Sequence, residues 1–275
     1  MKSESFPIRK RLDANETTFG ATVYSGSCLA VEAMGHWGLD FAFIDAEHTA
    51  FSVSGDIEKM IMSAKLTGIS PMIRVPSVNE VDVRKVFEMG AEGVIVPQVK
   101  TADEMRTIVR AAKFPPIGRR GGDASVRSAR WAGPGFNWPE YTEAANASTL
   151  VIPMAENFEF FDNLDEILEV DGIDIVNYGP VDYALSKHLP VDYSMSGKEI
   201  DQLLDLLIAK CHARGIKVMA PCIPTSLENA QRLIEKGVDM LIMGNDMMYI
   251  NNGCRQAREG VIDHVRATAP LARAS

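Results

Sequence analysis

The stretch Gly38-Leu-Asp-Phe-Ala-Phe-Ile-Asp-Ala-Glu-His48 decides the fold. Residues 41–44 are apolar without interruption, and three ionisable side chains, Asp45, Glu47 and His48, crowd the residues that follow. A short continuous apolar run reads as a strand buried on both faces, as in a parallel sheet covered by helices. Polar groups gathered at the carboxyl end of such a strand mark the place where α/β barrels carry their chemistry.

The same pattern recurs on either side. Candidate strands lie at residues 20–24, 41–45, 71–75, 93–97, 150–155, 174–178, 217–220 and 240–243. Eight is the number that closes a (β/α)8 barrel, and 275 residues is a usual length for one such domain. Between them, residues 79–89, 101–113, 158–170, 198–214 and 226–236 carry apolar side chains at three-to-four spacing and read as helices. Thr101-Ala-Asp-Glu104 and Ser226-Leu-Glu are helix starts, and Gly90, Gly215 and Gly237 stand where a left-handed residue closes a last turn. Residues 115–141, rich in Pro, Gly and Arg, break the rhythm with a connection too long for an ordinary βα unit. The expectation is a single TIM-barrel domain over residues 1–275. Residues 1–18 form an amino-terminal extension or helix, and residues 253–275 a carboxyl-terminal helix and tail.

Composition narrows the function. The formal net charge is 28 − 37 = −9, which argues against nucleic acid or an anionic membrane surface as partner. The four cysteines have neither disulfide nor zinc-site spacing, and no apolar run approaches the length of a membrane span, so a cytoplasmic protein with reduced thiols is expected. No GxGxxG, Walker or GxSxG pattern is present.

Candidate functional residues follow the strand ends. Asp45, Glu47 and His48 form either an acid/base group or a helix cap with a solvated histidine. Arg74, at the end of the third strand, needs an anion, which is either a structural carboxylate or a substrate carboxylate or oxyanion. Glu156 and Asp182 follow neighbouring strands, where they could hold one hard divalent cation or serve as caps and salt-bridge partners.

Taken in order, these strand ends resemble the HpcH/HpaI family of class II, metal-dependent pyruvate aldolases. The resemblance rests on Ile44-Asp-Ala-Glu-His48, Pro71-Met-Ile-Arg-Val-Pro76, Gly90-Ala-Glu-Gly-Val-Ile-Val-Pro97, Pro115-Pro-Ile-Gly-Arg-Arg-Gly121 and Arg127-Ser-Ala-Arg-Trp131. It continues through Glu156, Gly172-Ile-Asp-Ile-Val-Asn-Tyr-Gly-Pro-Val-Asp182 and Gly237-Val-Asp-Met-Leu-Ile-Met-Gly244. It implies Glu156 and Asp182 as ligands of Mg²⁺, Mn²⁺ or Co²⁺, and His48 as acid/base supported by Asp45. It also implies Arg74 as the enolate-stabilising cation, with Gly179, Val181 and Asp182 beside the substrate. The implied reaction is reversible cleavage of a 4-hydroxy-2-oxo acid to pyruvate and an aldehyde by a homo-oligomer, a hexamer or trimer of dimers with exchanged carboxyl-terminal helices. Met154, Thr22 and Tyr183 depart from the family pattern where it usually has Gln, Trp and Leu, which bears on the acceptor pocket. The competing readings are an oxaloacetate decarboxylase or CoA-thioester lyase on the same scaffold, and a non-catalytic barrel acting in binding or assembly.

Overall fold

The computed structural model describes residues 7–268. Eight strands close a barrel in sequence order: β1 (Thr18–Val23), β2 (Phe41–Asp45), β3 (Ser70–Arg74), β4 (Gly93–Val96), β5 (Leu150–Ala155), β6 (Ile175–Tyr178), β7 (Lys217–Pro221) and β8 (Met240–Asn245). Every pairing is parallel, including the closure of β1 on β8, so all eight carboxyl ends open on one face. The expected (β/α)8 barrel is therefore present, with strand ends displaced by one or two residues.

Two cores hold it. Inside the barrel, Phe41, Phe43, Met72, Ile95, Ile152, Met154, Met219 and Met240 fill the interior, and the helix Pro7–Asp13 plugs the amino-terminal opening with Ile8 and Leu12. Outside, alternate strand residues such as Ile44, Ile73, Val94 and Val176 pack against the surrounding helices. That two-sided burial is why the strands read as continuous apolar runs.

The helix starts read from sequence are present. Thr101 and Glu104 form a reciprocal capping box, Ser226 accepts from the Asn229 amide, and Gly90, Gly215 and Gly237 are left-handed. Two readings need correction. Residues 158–170 are two short helices, Phe158–Asp162 and Leu164–Leu168, because Asn163 ends the first turn run and sends its side-chain amide to the Lys100 carbonyl at 2.9 Å. Residues 115–141 are not all loop: a 3₁₀ segment, Arg127–Ala132, is followed by the helix Trp138–Ser148, capped by Asn137.

After β8 the chain is helical from Asp246 to Thr268, and every residue from Tyr249 to Thr268 is exposed. Residues 1–6 and 269–275, parts of the expected terminal extension and tail, lie outside the described residues. Among the described residues no helix is long and apolar enough to cross a membrane.

Candidate active site

The carboxyl ends of β1, β2, β3, β5 and β6, with the turn after β4, bring together Tyr24, Asp45, Glu47, Arg74, Gln98, Glu156 and Asp182. Asp45 is fully buried and Arg74 is 5% exposed. Their side chains meet edge to edge, Nε to Oδ1 and Nη2 to Oδ2, both at 2.7 Å. This bidentate pair joins β2 to β3 at residues already opposite one another in the sheet register. The same carboxylate accepts from the backbone N–H groups of Glu47 at 2.9 Å and His48 at 3.3 Å, so it also shapes the turn that carries them. Of the two anions open to Arg74 from sequence, the structural carboxylate is thus present. Burial disfavours the guanidinium charge, but Asp45 and Glu47 more than offset it and hold the Arg74 pKa above its ordinary value.

One guanidinium nitrogen is left for other partners. Nη1 lies 3.1 Å from Glu47 Oε2 and 3.9 Å from the Met154 sulfur, while Phe43 presents its ring to the cation at 5.4 Å. Glu47 Oε2 is buried without a hydrogen bond, and burial pushes its carboxyl up against the pull of Arg74 and His48. The His48 ring stands 3.6 Å from that oxygen, and its side chain is 58% exposed at the mouth of the barrel. The carboxylate beside the ring is therefore Glu47, whereas Asp45 reaches His48 through its backbone.

Glu156 is 1% exposed. Its Oε1 accepts from the Gln98 backbone at 2.7 Å and side chain at 3.2 Å. Gln98 adopts a left-handed φ of 54° to present both donors, a conformation that costs a non-glycine residue about 1–2 kcal/mol. Burial pushes the Glu156 carboxyl up to about 7, opposed by the Gln98 amide and reinforced by the negative charge of Asp182 and Glu47. Gly179 allows the approach of β6: a Cβ there would stand 2.5 Å from Glu156 Cβ and 3.1 Å from its Oε2. Asp182 follows in the first turn of the helix Pro180–Ser186, with Val181 between.

These residues suit a hard cation. Three carboxylates act on one another across a largely buried space, one oxygen has no hydrogen-bond donor, and backbone without a side chain opens the space beside Glu156. Glu156 and Asp182 together offer two carboxylate donors rather than a complete cage. Among the described residues no group of three His, Cys, Asp or Glu side chains is already gathered as one.

Sequence reasoning assigned no role to three of the residues that shape this site. Gln98 follows Pro97 at the end of β4 and acts mainly through its backbone, which side-chain pattern does not reveal. Tyr24, whose hydroxyl burial pushes up, interacts with Arg74, Asp45 and Asp182 from β1. Asp246 accepts from the Tyr24 and Ser25 amides, both at 3.0 Å, and so ties the β1 end to β8; its place at a strand end was the available signal.

The chain is similar to known proteins over most of its length. The model of the HpcH/HpaI aldolase/citrate lyase family matches residues 23–253. The chain is 30% identical over 251 residues to a 2-keto-3-deoxy-L-rhamnonate aldolase of Escherichia coli, covering 91% of each chain. Among solved structures it is similar to an HpcH/HpaI aldolase/citrate lyase family protein of Burkholderia cenocepacia, with TM-score 0.83, 26% identity and coverage of 94% of this chain and 99% of that one. It is also similar to the citrate synthase SbnG, with TM-score 0.83, 25% identity and coverage of 94% and 98%. The chain belongs to the HpcH/HpaI aldolase/citrate lyase family.

Proposed function

We propose that this protein is a divalent-metal-dependent aldolase that reversibly cleaves a 4-hydroxy-2-oxo acid to pyruvate and an aldehyde. The observation that carries the reading is the acidic group formed by buried Glu156 with half-buried Glu47 and Asp182, near Arg74 at the carboxyl ends of the strands. The name of the Escherichia coli relative points to a 2-keto-3-deoxy sugar acid as the substrate class.

In this reading Glu156 and Asp182 hold Mg²⁺, Mn²⁺ or Co²⁺. The bound cation supplies Lewis-acid polarisation of the 2-oxo acid. Gln98 fixes one oxygen of Glu156 through two donors, which leaves the other oxygen directed past Gly179. The Val181 and Asp182 amides sit in the first turn of their helix, where N–H groups have no intrahelical acceptor, and offer donors to the substrate carboxylate. Asp45 locks two of the three Arg74 nitrogens, so Nη1 alone faces the site and places fixed positive charge where the enolate oxygen develops. His48, exposed at the mouth and paired with Glu47, takes the proton from the C4 hydroxyl. Met154 puts a weakly polar sulfur beside Arg74 Nη1 and gives the pyruvate side of the pocket an apolar wall.

The proposal extends to a cytoplasmic homo-oligomer, a hexamer or trimer of dimers. It is supported by the projecting helical run to Thr268, which exposes Ile250, Val261, Ile262 and Val265. The activity is tested by coupling pyruvate release from 2-keto-3-deoxy-L-rhamnonate to lactate dehydrogenase, with Mn²⁺ and with EDTA. Cleavage that stops with EDTA and in Glu156→Gln is expected, and cleavage unaffected by EDTA contradicts the mechanism. Product identification by mass spectrometry separates it from decarboxylation, which releases CO₂ and no aldehyde.

A further inference from the structure

Tyr24 enters the mouth of the barrel from the end of β1. Within that strand Ala21 and Val23 pack outward against the helices. Side chains alternate along a strand, so Thr22 and Tyr24 belong to the inward face. Asp45 and Arg74 stand on the inward faces of β2 and β3 by the same alternation, since Ile44 and Ile73 before them pack outward. Thr22, 6% exposed, is buried one pleat deeper, so Tyr24 is the side chain that β1 brings to the level of the site. Asp246 accepts from the Tyr24 and Ser25 amides, both at 3.0 Å, and fixes the backbone from which the ring projects.

The Tyr24 hydroxyl differs from those of the other tyrosines that are not exposed. Tyr178 donates to the Ile200 carbonyl at 2.8 Å, Tyr183 to Glu199 at 3.2 Å, and Tyr141 shares a hydrogen bond with Ser128 at 2.8 Å. The Tyr24 O–H donates to no protein acceptor among the described residues, where its strongest charged neighbour is Arg74, followed by Asp45 and Asp182. Arginine is a donor only, so Arg74 engages the phenol oxygen and leaves the O–H free. Tyr24 is half-buried, and its oxygen is not sealed in the way that Glu47 Oε2 is. Burial pushes the phenol up and keeps it protonated, against the pull of Arg74. The result is a neutral donor, open to the site and without an acceptor.

The order of the strands says which part of a substrate it meets. Glu156 and Asp182 belong to β5 and β6, and the 2-oxo acid end of the substrate lies with them. Tyr24 and His48 come from β1 and β2, on the other side of a barrel closed in sequence order. We propose that Tyr24 is a further catalytic residue of the aldol step, its hydroxyl donating a hydrogen bond to the C4 oxygen of the 4-hydroxy-2-oxo acid. This role rests on the aldolase reading above. As His48 takes the C4 hydroxyl proton, the C3–C4 bonding pair passes into the enolate and the C4–O bond becomes the aldehyde carbonyl. Tyr24 keeps its own proton throughout. It stabilises the negative charge that the C4 oxygen carries between those two states, in cleavage and in addition alike. Arg74, beside the phenol oxygen, polarises the O–H and strengthens it as a donor.

The test is Tyr24→Phe, which removes the hydroxyl and keeps the ring. Two rates are read with Mg²⁺: pyruvate release from 2-keto-3-deoxy-L-rhamnonate, and exchange of the pyruvate C3 protons with D₂O, which needs the enolate but no aldehyde. The expected result is a fall in kcat/KM for cleavage of about tenfold or more, with exchange within about twofold of the parent rate. A residue that acted only by holding Arg74 would slow both. The Tyr24 role is overturned by unchanged cleavage in the variant, or by equal losses of cleavage and exchange. A parent protein that releases no pyruvate overturns the aldolase reading itself, and the Tyr24 role with it.

Discussion

Arg74 and Arg120 are two arginines in nearly the same physical situation at opposite ends of one barrel. Each is 5% exposed and each lies against aromatic faces. Arg74 has its Nε/Nη2 edge filled by Asp45 from the neighbouring strand; the corresponding edge of Arg120 has no partner. A buried ion pair is costly to break because the survivor stays desolvated, whereas a buried cation without a pair can be replaced by an apolar side chain at little cost. The difference teaches that burial of charge at the carboxyl face is part of how β2 and β3 are locked, and that at the amino face it is not.

The largest effect expected from this contrast is on stability. Asp45→Ala should lower the free energy of unfolding by about 3–5 kcal/mol, the usual penalty for stranding one member of a buried pair. Arg120→Met should change it by less than about 1 kcal/mol or raise it. Urea denaturation followed by circular dichroism measures both, and equal losses in the two variants break the comparison.

Next in size is Gly179→Ala. Its φ of −110° is open to any residue, so the cost comes only from the new Cβ, 2.5 Å from that of Glu156. Overpacking of this kind costs about 1–3 kcal/mol. Displacing the Glu156 side chain should also weaken Mn²⁺ binding by about tenfold or more, read by calorimetric titration. Unchanged Mn²⁺ affinity in this variant removes Gly179 from the account of the metal site.

The smallest effect is a pH dependence confined to the carboxyl face. Burial holds the Glu156 carboxyl near 7, above its unfolded value, so the metal-free folded protein binds this proton more tightly than the unfolded chain does. The stability that comes from the neutral carboxyl is present at low pH and is lost as pH rises toward 7. A cation must displace the same proton, so Mn²⁺ affinity should fall by up to tenfold per pH unit below about 7 and level off above it. Calorimetric titration of the parent protein with Mn²⁺ across this pH range reads the slope, and an affinity that does not change with pH below about 7 contradicts it.

The barrel is legible in the sequence because its strands are buried on both sides: residues 41–45 and 150–155 read as apolar runs and fold as β2 and β5 with those bounds. Helices with a strong apolar stripe and a cap, such as Ala102–Ala112, are equally plain, whereas Cys28–His36 and Gly55–Thr67 are not among the helices read from spacing. The split at Asn163 depends on a carbonyl of another segment, Lys100, which no local pattern contains. The site divides in the same way. Arg74 and Asp45 stand at strand ends, but that they pair in two hydrogen bonds follows from the β2–β3 register. Gln98 contributes through a left-handed backbone at a non-glycine residue, and Glu47 matters because Arg74 Nη1 points at it; both facts are tertiary.

The central claim is that Arg74 Nη1 and the Glu156–Asp182 carboxylates together support a pyruvate enolate. Exchange of the pyruvate C3 protons with D₂O, followed by proton NMR in the presence of Mg²⁺, tests it without any aldehyde. The account predicts exchange in the parent protein, abolished by EDTA and by Arg74→Ala. Exchange that persists in a folded Arg74→Ala protein contradicts it.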